Sequence, residues 1–343
     1  MINNTKPTVA LIWGGQGYEK EVSRRGIENI LPLINKATYE VISVHIEPDG
    51  RWTLDGKDIL LAKGGIITAG GFRFVDCAFP LLHGDFGEDG RVQGALDCAG
   101  ISYVGCDCMT SGICRDKLIV KAVAKSLGIK ALPATLVLRR DGIQSALKEA
   151  EEIIGYPLFV KPCSLGSSIG ASPARNREEL ILALDAAFAL ADRVMVERLL
   201  SQKRELECGF LSVKGKELFT NPGEIICESF YDYNRKYGVN CASAVACAEL
   251  RQDIKDRIKD HSKSLVRRLG VRDLARIDYF LSGDEIYFNE INTMPGQTES
   301  SLYSKMLAAE GISSYDFVNL LVEEAILRAE DKTTYFNRSD FSS

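Results

Sequence analysis

The sequence predicts an α/β protein that begins with a parallel sheet and continues into modules of mixed strands and helices. Strand-like and helix-like segments alternate from residue 8 to about residue 105, which is typical of a parallel sheet with helical crossovers. A strand-rich module follows, and the last part of the chain contains a strand hairpin and a closing helix. Because 343 residues exceed what one hydrophobic core usually supports, we expect about two or three domains.

The first module carries its candidate binding residues in two glycine-containing loops. Its strands are TVALIW and YEVISVHI, the helix between them is EVSRRGIENILPLI, and FVDCAFPLLHG followed by DGRVQGALDCAG repeats this order. Ligands of such sheets collect beyond the carboxyl ends of the strands. The loops 14–23 and 83–90 lie at those ends and bring Glu19 and His83 to one rim. For each loop taken alone, an ordinary turn is an equally good interpretation.

The second module places two lysines near a glycine-serine loop. Residues 109–127 are predicted to form one helix that bears Lys117, and the loop 166–170 directly follows the strand that bears Lys161. Backbone NH groups and hydroxyls of such a loop can bind phosphate oxygens while lysines neutralise them. A plain turn is the better interpretation of the loop in isolation, but the two lysines favour phosphate. The strand VMVERLL, which ends at residues 197–200, could pair with a base.

The third module, from about residue 201 to residue 330, contains an aromatic polar loop. Its predicted elements are the strands RELECGFL and ELFTN, a helix at 252–269, and a closing helix at 314–329 before a polar tail. The loop 228–238 has three tyrosines, one phenylalanine, one arginine and one lysine. We interpret it as a lid that excludes water when closed, and a partner-binding loop is the alternative.

A hairpin near the C-terminus concentrates oxygen ligands. Two short strands, 275–281 and 285–291, flank a Ser-Gly-Asp turn. Since side chains alternate along a strand, Arg276 and Asp278 share one face, as do Glu290 and Asn292. Carboxylate and amide oxygens are the hard donors that Mg²⁺ prefers, together with substrate phosphates. The hypothesis is a metal and phosphate site, and a solvated hairpin is the alternative.

Composition excludes some classes of function. A net charge of -5 and a pI near 5.5 argue against a nucleic-acid surface. The first apolar run, residues 8–13, is too short for a signal peptide or a membrane span, so we expect a cytoplasmic protein. The ten cysteines show no Cys-x-x-Cys spacing, so we expect reduced core residues instead of a zinc site.

With these motifs in order, the chain resembles the D-alanine:D-alanine ligases of the ATP-grasp superfamily, from about residue 8 to residue 330. The family pattern HG..GEDG..QG matches residues 83–94, and DK matches Asp116 and Lys117. The pattern KP...GSS.G matches residues 161–170, and FYDY..KY matches 230–237. R.D followed by NE.NT.PG.T matches 276–298.

The resemblance implies an ATP-grasp fold, with a Rossmann-like N-terminal α/β domain and with ATP between a central and a C-terminal α+β domain. The domains would be residues 1–108, 109–198 and 199–335, with a flexible tail at 336–343. The implied ATP-binding residues are Lys117, Lys161, Ser168, Glu197, Leu200, Glu205, Phe230 and Lys236. Asp278, Glu290 and Asn292 would hold two Mg²⁺ or Mn²⁺ ions.

The resemblance also implies roles around the amino acids. Glu19 would hold the ammonium of the first amino acid with His83 nearby, and Arg276 would face the reacting carboxylate. Gly296, Ser301 and Leu302 would hold the second amino acid. Ser167 and Tyr237 would belong, with Glu205, to a hydrogen-bonded set that ties the lid to the active site, and Tyr237 favours an amine as the second nucleophile. Small-molecule substrates and a homodimer are implied, with neither nucleic acid nor membrane as partner.

The implied reaction is ATP-driven condensation of two D-alanines for peptidoglycan precursors. Departures from the family pattern cluster around the amino-acid pockets and stand at Gly17, Arg24, Gly26, Arg115, Gln297 and Ser304. They motivate one alternative, a ligase that joins D-alanine to D-serine or another D-amino acid for resistance or a peptide natural product. A nucleotide-binding protein without catalysis is the second alternative.

Overall fold

The predicted N-terminal parallel sheet is present. The structure is a computed structural model that describes residues 6–17, 19–226, 243–298 and 301–338. The central strand β1 (Thr8–Gly14) pairs in parallel with β2 (Glu40–Ile46) and with β8 (Cys77–Pro80). Two short antiparallel strands, β3 (Trp52–Leu54) and β4 (Lys57–Asp58), extend the edge beside β2. The helices α1 (Lys20–Ile30) and α2 (Arg91–Ala99) follow β1 and β8.

A small separate sheet interrupts the alternation. It contains β5 (Leu60–Ala62), β6 (Gly65–Thr68) and β7 (Gly71–Phe74), all antiparallel. These strands are only three or four residues long and were not predicted from the sequence.

The single helix predicted for residues 109–127 is wrong, because the chain forms two helices. These are α3 (Cys108–Arg115) and α4 (Lys117–Ser126). Asp116 between them is extended, with φ −86° and ψ 106°, and its carboxylate accepts hydrogen bonds from the backbone NH groups of Leu118 and Ile119. Asp116 is therefore an N-cap that starts a new helix. Lys117 becomes the first residue of α4.

The second module forms a four-stranded antiparallel sheet in the order β11, β10, β12, β9. The strands are β9 (Ala134–Leu138), β10 (Leu158–Pro162), β11 (Ser172–Ala174) and β12 (Arg193–Arg198). The helices α5 (Ile143–Ile153) and α6 (Arg177–Phe188) supply Leu147 and Leu184 to a core shared with this sheet.

The third module forms a six-stranded sheet in which β13 and β17 are central. The strands are β13 (Arg204–Val213), β14 (Lys216–Phe219), β15 (Gly223–Ile226), β16 (Ser243–Val245), β17 (Leu274–Ser282) and β18 (Glu285–Asn292). The predicted helix, α7 (Gln252–Leu269), buries Ile258 and Leu265 against it. Val120 and Ala124 of α4 belong to the same core.

The last two helices connect the end of the chain to its beginning. They are α8 (Leu302–Ala309) and α9 (Ser314–Arg338). Helix α9 extends beyond its predicted end at residue 329, in a stretch without glycine or proline to stop it. Val318 and Leu321 of α9 pack in one core with Val9 and Leu11 of β1. No helix in the described ranges is both long enough and apolar enough to cross a membrane.

Candidate active site

The hairpin β17–β18 brings its four predicted polar residues together. In the antiparallel register Arg276 lies opposite Asn292, and Asp278 lies opposite Glu290. The strands are joined through Gly283 and Asp284, where Gly283 has a φ of +57° that suits a tight turn. The alternation of side chains therefore placed this part of the site correctly.

A β-bulge in the same hairpin adds a residue that the sequence analysis missed. Asp278 pairs with Glu290, but Tyr279 pairs with Phe288, so Asn289 is the extra residue of β18. The Lys161 Nζ donates a hydrogen bond to Asn289 Oδ1 at 3.2 Å. The sequence contains a signal for this bulge. The buried apolar residues of β18 alternate at Ile286 and Phe288, but the next one is Ile291, one residue later than strict alternation would place it.

Arg276 is buried and holds two carboxylates. Its Nε and Nη2 donate to the Asp278 oxygens Oδ1 and Oδ2 at 2.8 and 2.7 Å, and its Nε lies 3.3 Å from Glu207 Oε1. Burial disfavours the charged guanidinium, but Asp278 and Glu207 outweigh it and raise the pKa of Arg276 well above its ordinary value. Sequence reasoning missed Glu207, although a carboxylate inside the mainly apolar strand β13 was a usable signal.

Lys117 links the glycine-serine loop to the hairpin. Its Nζ donates to the carbonyl oxygen of Leu165 at 2.7 Å and lies 3.3 Å from Glu290 Oε2. Burial lowers the pKa of Lys117, and Glu290 only partly offsets that effect. Lys117 therefore places a buried amino group between the glycine-serine loop and the hairpin.

Glu197 is buried between two lysines. Its Oε1 lies 2.8 Å from Lys161 Nζ, and its Oε2 lies 3.0 Å from Lys121 Nζ. Burial favours the protonated acid, but the two ammonium groups outweigh it and lower the pKa of Glu197 to about 2. Lys121 was not among the predicted site residues. The predicted contact between Glu197 and the adenine base stays a prediction.

The loop 166–170 approaches the N-terminal module. Ser167 and Ser168 both have left-handed backbones, with φ +53° and +57°, which is uncommon for residues other than glycine. The Ser167 hydroxyl donates a hydrogen bond to Glu19 Oε1. A Cβ at Gly84 would stand 2.1 Å from Glu19 Oε2, so the loop 83–90 leaves room for the Glu19 carboxylate only because residue 84 is glycine.

A second ionic cluster lies beside Glu19. His83 Nδ1 lies 3.7 Å from Glu88 Oε1, and Arg115 Nη1 donates to Glu88 Oε2 at 2.6 Å. Burial would raise the pKa of Glu88, but Arg115 and His83 outweigh it and lower that pKa. Arg115, one of the departures from the family pattern, therefore fixes the carboxylate that faces His83.

The residues predicted for the second amino acid lie at the start of α8. Ser301 Oγ and Thr298 Oγ1 are 2.7 Å apart and share a hydrogen bond, and Ser301 Oγ also accepts from the Thr298 backbone NH at 3.2 Å. Leu302 is buried, and a Cβ at Gly296 would stand 3.1 Å from Ser301 Oγ. This corner is closely packed.

The predicted amino-acid-binding residues and the predicted ATP-binding residues line two different cavities. The first, of about 930 Å³, is lined by Glu19, His83, Asn292, Gly296, Ser301 and Leu302. The second, of about 820 Å³, is lined by Lys161, Ser168, Glu197, Leu200, Glu205 and Asp278. Both cavities are lined by Lys117, Gly166, Ser167, Glu207, Ile225, Arg276 and Glu290, which we call the shared wall. Phe230, Lys236 and Tyr237 lie outside the described residues.

The donors at the hairpin suit a hard divalent cation. Asp278 and Glu290 are carboxylates, Asn292 adds an amide oxygen, and all three lie at neighbouring register positions. The Asp278 carboxylate is paired with Arg276, and the Glu290 carboxylate lies beside Lys117. Among the described residues, no three histidine, cysteine or acidic side chains form a group that could hold a metal ion.

Comparisons with known proteins agree with the fold and the motifs. Family models described as the D-ala D-ala ligase N-terminus and C-terminus match residues 8–106 and 123–323. A D-alanine–D-alanine ligase of Natranaerobius thermophilus is 34% identical, covering 98% of this chain and 99% of that protein. Another, from Deinococcus radiodurans, is 36% identical and covers 94% and 99%.

Solved structures give the same answer. The D-alanyl-alanine synthetase A of Vibrio cholerae superposes with a TM-score of 0.86 at 30% identity, covering 94% of this chain and 99% of that one. The VanG D-Ala:D-Ser ligase of Enterococcus faecalis superposes with a TM-score of 0.85 at 29% identity, covering 94% and 100%. The predicted ATP-grasp architecture is therefore confirmed, and the chain belongs to the D-alanine–D-alanine ligase family.

Proposed function

We propose that the protein is an ADP-forming carbon–nitrogen ligase that uses ATP to join two D-alanines into D-alanyl-D-alanine for peptidoglycan precursors. The observation that carries the proposal is the shared wall, where Arg276, Lys117 and Ser167 border both cavities. A nucleotide in the second cavity and an amino acid in the first would meet at this wall. Their phosphate and carboxylate groups would then face the same buried cations.

The chemistry requires such a meeting point. An amine cannot displace oxide from a carboxylate, so an oxygen of the first D-alanine attacks the γ-phosphorus of ATP and the bond to ADP breaks. The product is an acyl phosphate. The free amine of the second D-alanine then attacks the acyl carbon, the carbon–oxygen bond to phosphate breaks, and the amine loses its proton. Both steps gather negative charge, which Arg276 and the lysines would stabilise.

The residues divide this work between the two cavities. Glu19, held by Ser167, would bind the ammonium of the first D-alanine with His83 beside it, and Gly296, Ser301 and Leu302 would bind the second. Lys117, Lys161, Ser168 and Lys236 would bind phosphates, and Glu197, Leu200, Glu205 and Phe230 would surround adenine and ribose. Mg²⁺ or Mn²⁺ bound to Asp278, Glu290 and Asn292 would neutralise phosphate charge.

Water must be excluded from this site, because an acyl phosphate hydrolyses. The segment 228–238, which contains Tyr237 and lies outside the described residues, would serve as the lid. We also propose the domain limits 1–108, 109–198 and 199–335, a homodimer, and a cytoplasmic location where ATP is supplied. Light scattering of the purified protein would test the dimer.

The test of the function is direct. Purified protein with ATP, Mg²⁺ and D-alanine should release phosphate and form a dipeptide that mass spectrometry detects, and L-alanine should give neither product. Phosphate release that depends only on a different second amino acid would overturn the D-alanyl-D-alanine proposal. Tight ATP binding without amino-acid-dependent turnover would instead support a nucleotide-binding protein without catalysis.

A further inference from the structure

Lys121 is a buried lysine that lines neither of the two cavities. It is 2% exposed, and its neighbours on α4, Val120 and Ala124, belong to a hydrophobic core. The Lys121 Nζ lies 3.0 Å from Glu197 Oε2, and the part of the chain that the structure describes offers it no other ion-pair or hydrogen-bond partner. Lys121 therefore cannot touch a ligand itself, and Glu197 is the group through which it would act on one.

Stability alone is a weak reason for this buried pair. Burying two charges costs free energy, and in many proteins their attraction does no more than offset that cost. The pair does, however, fix the Glu197 carboxylate, because Lys121 takes Oε2 while Lys161 lies 2.8 Å from Oε1. Burial would raise the pKa of Glu197, but Lys121 and Lys161 outweigh it, so the carboxylate stays ionised.

The two lysines differ in their access to a ligand. Lys161 lines the second cavity, donates also to Asn289 Oδ1 at 3.2 Å, and is one of the proposed phosphate-binding residues. A bound nucleotide would therefore compete with Glu197 for Lys161. Lys121 lies outside the cavity and keeps its contact with Oε2 whether or not a nucleotide is bound. It is the cation reserved for Glu197.

Glu197 lies in a part of the second cavity that suits a base. It does not belong to the shared wall, which carries groups proposed to meet phosphate. In the sheet Glu197 pairs with Phe159, so the two side chains lie on the same face, and both line the second cavity together with Leu132 and Leu200. Apolar and aromatic side chains around a few polar groups are typical of a site for a heterocyclic ligand.

We propose that Lys121 is a positioning residue that holds Glu197 as a hydrogen-bond acceptor for the nucleobase, and so makes the second cavity select a 6-amino purine over a 6-oxo purine. An ionised carboxylate only accepts hydrogen bonds. The 6-amino group of adenine donates one, whereas a 6-oxo group is itself an acceptor and would face the carboxylate without a proton between them. The inference rests on the proposed function, because it assumes that the second cavity binds the nucleotide.

Removing Lys121 should weaken this selection. The Glu197 Oε2 would lose its partner, so the side chain would be free to turn or to take up a proton. A protonated carboxyl group can donate a hydrogen bond to a 6-oxo group, which the ionised carboxylate cannot do.

The experiment compares ATP with ITP, which carries a 6-oxo group in place of the 6-amino group. Isothermal titration calorimetry with the full-length protein and Mg²⁺ gives the Kd of each nucleotide, and dipeptide formation from D-alanine gives kcat/KM for each. In the parent protein we expect ATP to be preferred by about 100-fold, because the site accepts a donor at position 6. In Lys121→Met that preference should fall by about tenfold or more.

Lys125→Met is the matched control, since Lys125 is exposed and lies one turn further along the same helix. It should keep the preference of the parent protein. The two nucleotides have identical phosphates and ribose. A purely structural role of Lys121, or a role at the phosphates, would therefore weaken both equally and leave their ratio unchanged.

A double variant tests whether Lys121 acts through Glu197. The amide in Glu197→Gln can accept or donate, so this variant should prefer ATP by only about threefold. The double variant Lys121→Met with Glu197→Gln buries no unpaired carboxylate and should show the same preference as Glu197→Gln alone. This comparison holds even if Lys121→Met does not fold by itself. A difference of tenfold between these two variants would overturn the proposed route of action.

The outcomes separate this inference from the proposed function. An ATP preference that Lys121→Met leaves unchanged, or a parent protein that binds ATP and ITP equally, overturns the role of Lys121 while dipeptide synthesis stands. A protein that forms no dipeptide, but whose preference in calorimetry falls in Lys121→Met, overturns the proposed function and keeps the role of Lys121. Binding of neither nucleotide overturns both.

Discussion

Gly84 lies so close to Glu19 that the Glu19 carboxylate occupies the space a side chain at residue 84 would need. A Cβ there would stand 2.1 Å from Oε2, far inside van der Waals contact. Glu19 is also held from the other side by the Ser167 hydroxyl. The proposed ammonium-binding carboxylate is therefore fixed between a loop of the first module and a loop of the second.

Gly84→Ala should displace Glu19 and raise the KM for D-alanine by about tenfold or more, since loss of one charge-assisted hydrogen bond is worth about 1.5–3 kcal/mol. Gly100→Ala is the matched control. Gly84 and Gly100 have similar φ values, +70° and +65°, but a Cβ at Gly100 would meet no atom within 4 Å. Steady-state kinetics and thermal unfolding distinguish the two effects. Equal KM values in both variants would show that Glu19 does not bind the ammonium.

Glu290→Gln should reduce the turnover rate at limiting Mg²⁺ by more than about 100-fold, because an amide binds Mg²⁺ more weakly than a carboxylate does. Glu285→Gln on the same strand is the control, since Glu285 pairs with Lys130 away from both cavities. The measurement is phosphate release as a function of Mg²⁺ concentration. Near-normal activity of Glu290→Gln at limiting Mg²⁺ would refute its role as a metal ligand.

Arg276→Lys should leave ATP affinity nearly unchanged but reduce kcat by about 10²–10³-fold. Lysine cannot reproduce the two-pronged contact with Asp278, and it presents a different geometry to charge that builds up on the reacting carboxylate. Arg257→Lys, at an exposed position of α7, should behave like the parent protein. Nucleotide titration and dipeptide assays are compared. A loss of ATP affinity equal to the loss of kcat would place Arg276 on the nucleotide instead.

Glu197 should make the protein sensitive to acid. Its pKa is about 2 in the folded protein and 4.5 ordinarily, so its stabilising effect is present above about pH 4.5 and is lost as the pH falls toward 2. The difference corresponds to an order of magnitude of 3 kcal/mol. The free energy of unfolding is measured in urea at pH 5 and at pH 2.5. Between these pH values it should fall by about that much less in Glu197→Gln than in the parent protein. Glu152→Gln, at an exposed position, should follow the parent, and identical slopes for all three would refute the shift.

Much of the site followed from local rules. The alternation of side chains along two strands placed Arg276, Asp278, Glu290 and Asn292 together, and the pairing register confirms it. The helix at 252–269 was predicted with the bounds that α7 has. These features depend on neighbours in sequence, so a single sequence contains the information.

Other features depend on distant packing and were missed. Lys121 reads as one more charge on an amphipathic helix, and only the fold brings it to Glu197, 76 residues later. Asn289 lies in the site because of a β-bulge. The break in the alternation of apolar residues that marks this bulge is present in the sequence but was overlooked. The break at Asp116 had a local signal as well, because aspartate is a favoured N-cap.

The packing of α9 against β1 has a consequence for synthesis of the chain. The core that holds Val9 and Leu11 is completed by Val318 and Leu321, and the Ser102 hydroxyl donates to the carbonyl oxygen of Ala325. A ribosome makes β1 about 300 residues before α9, the helix that packs against it. The apolar side chains of β1 that pack against α9 therefore remain uncovered during nearly the whole of translation. The nascent chain, and not the finished enzyme, is the form most exposed to aggregation.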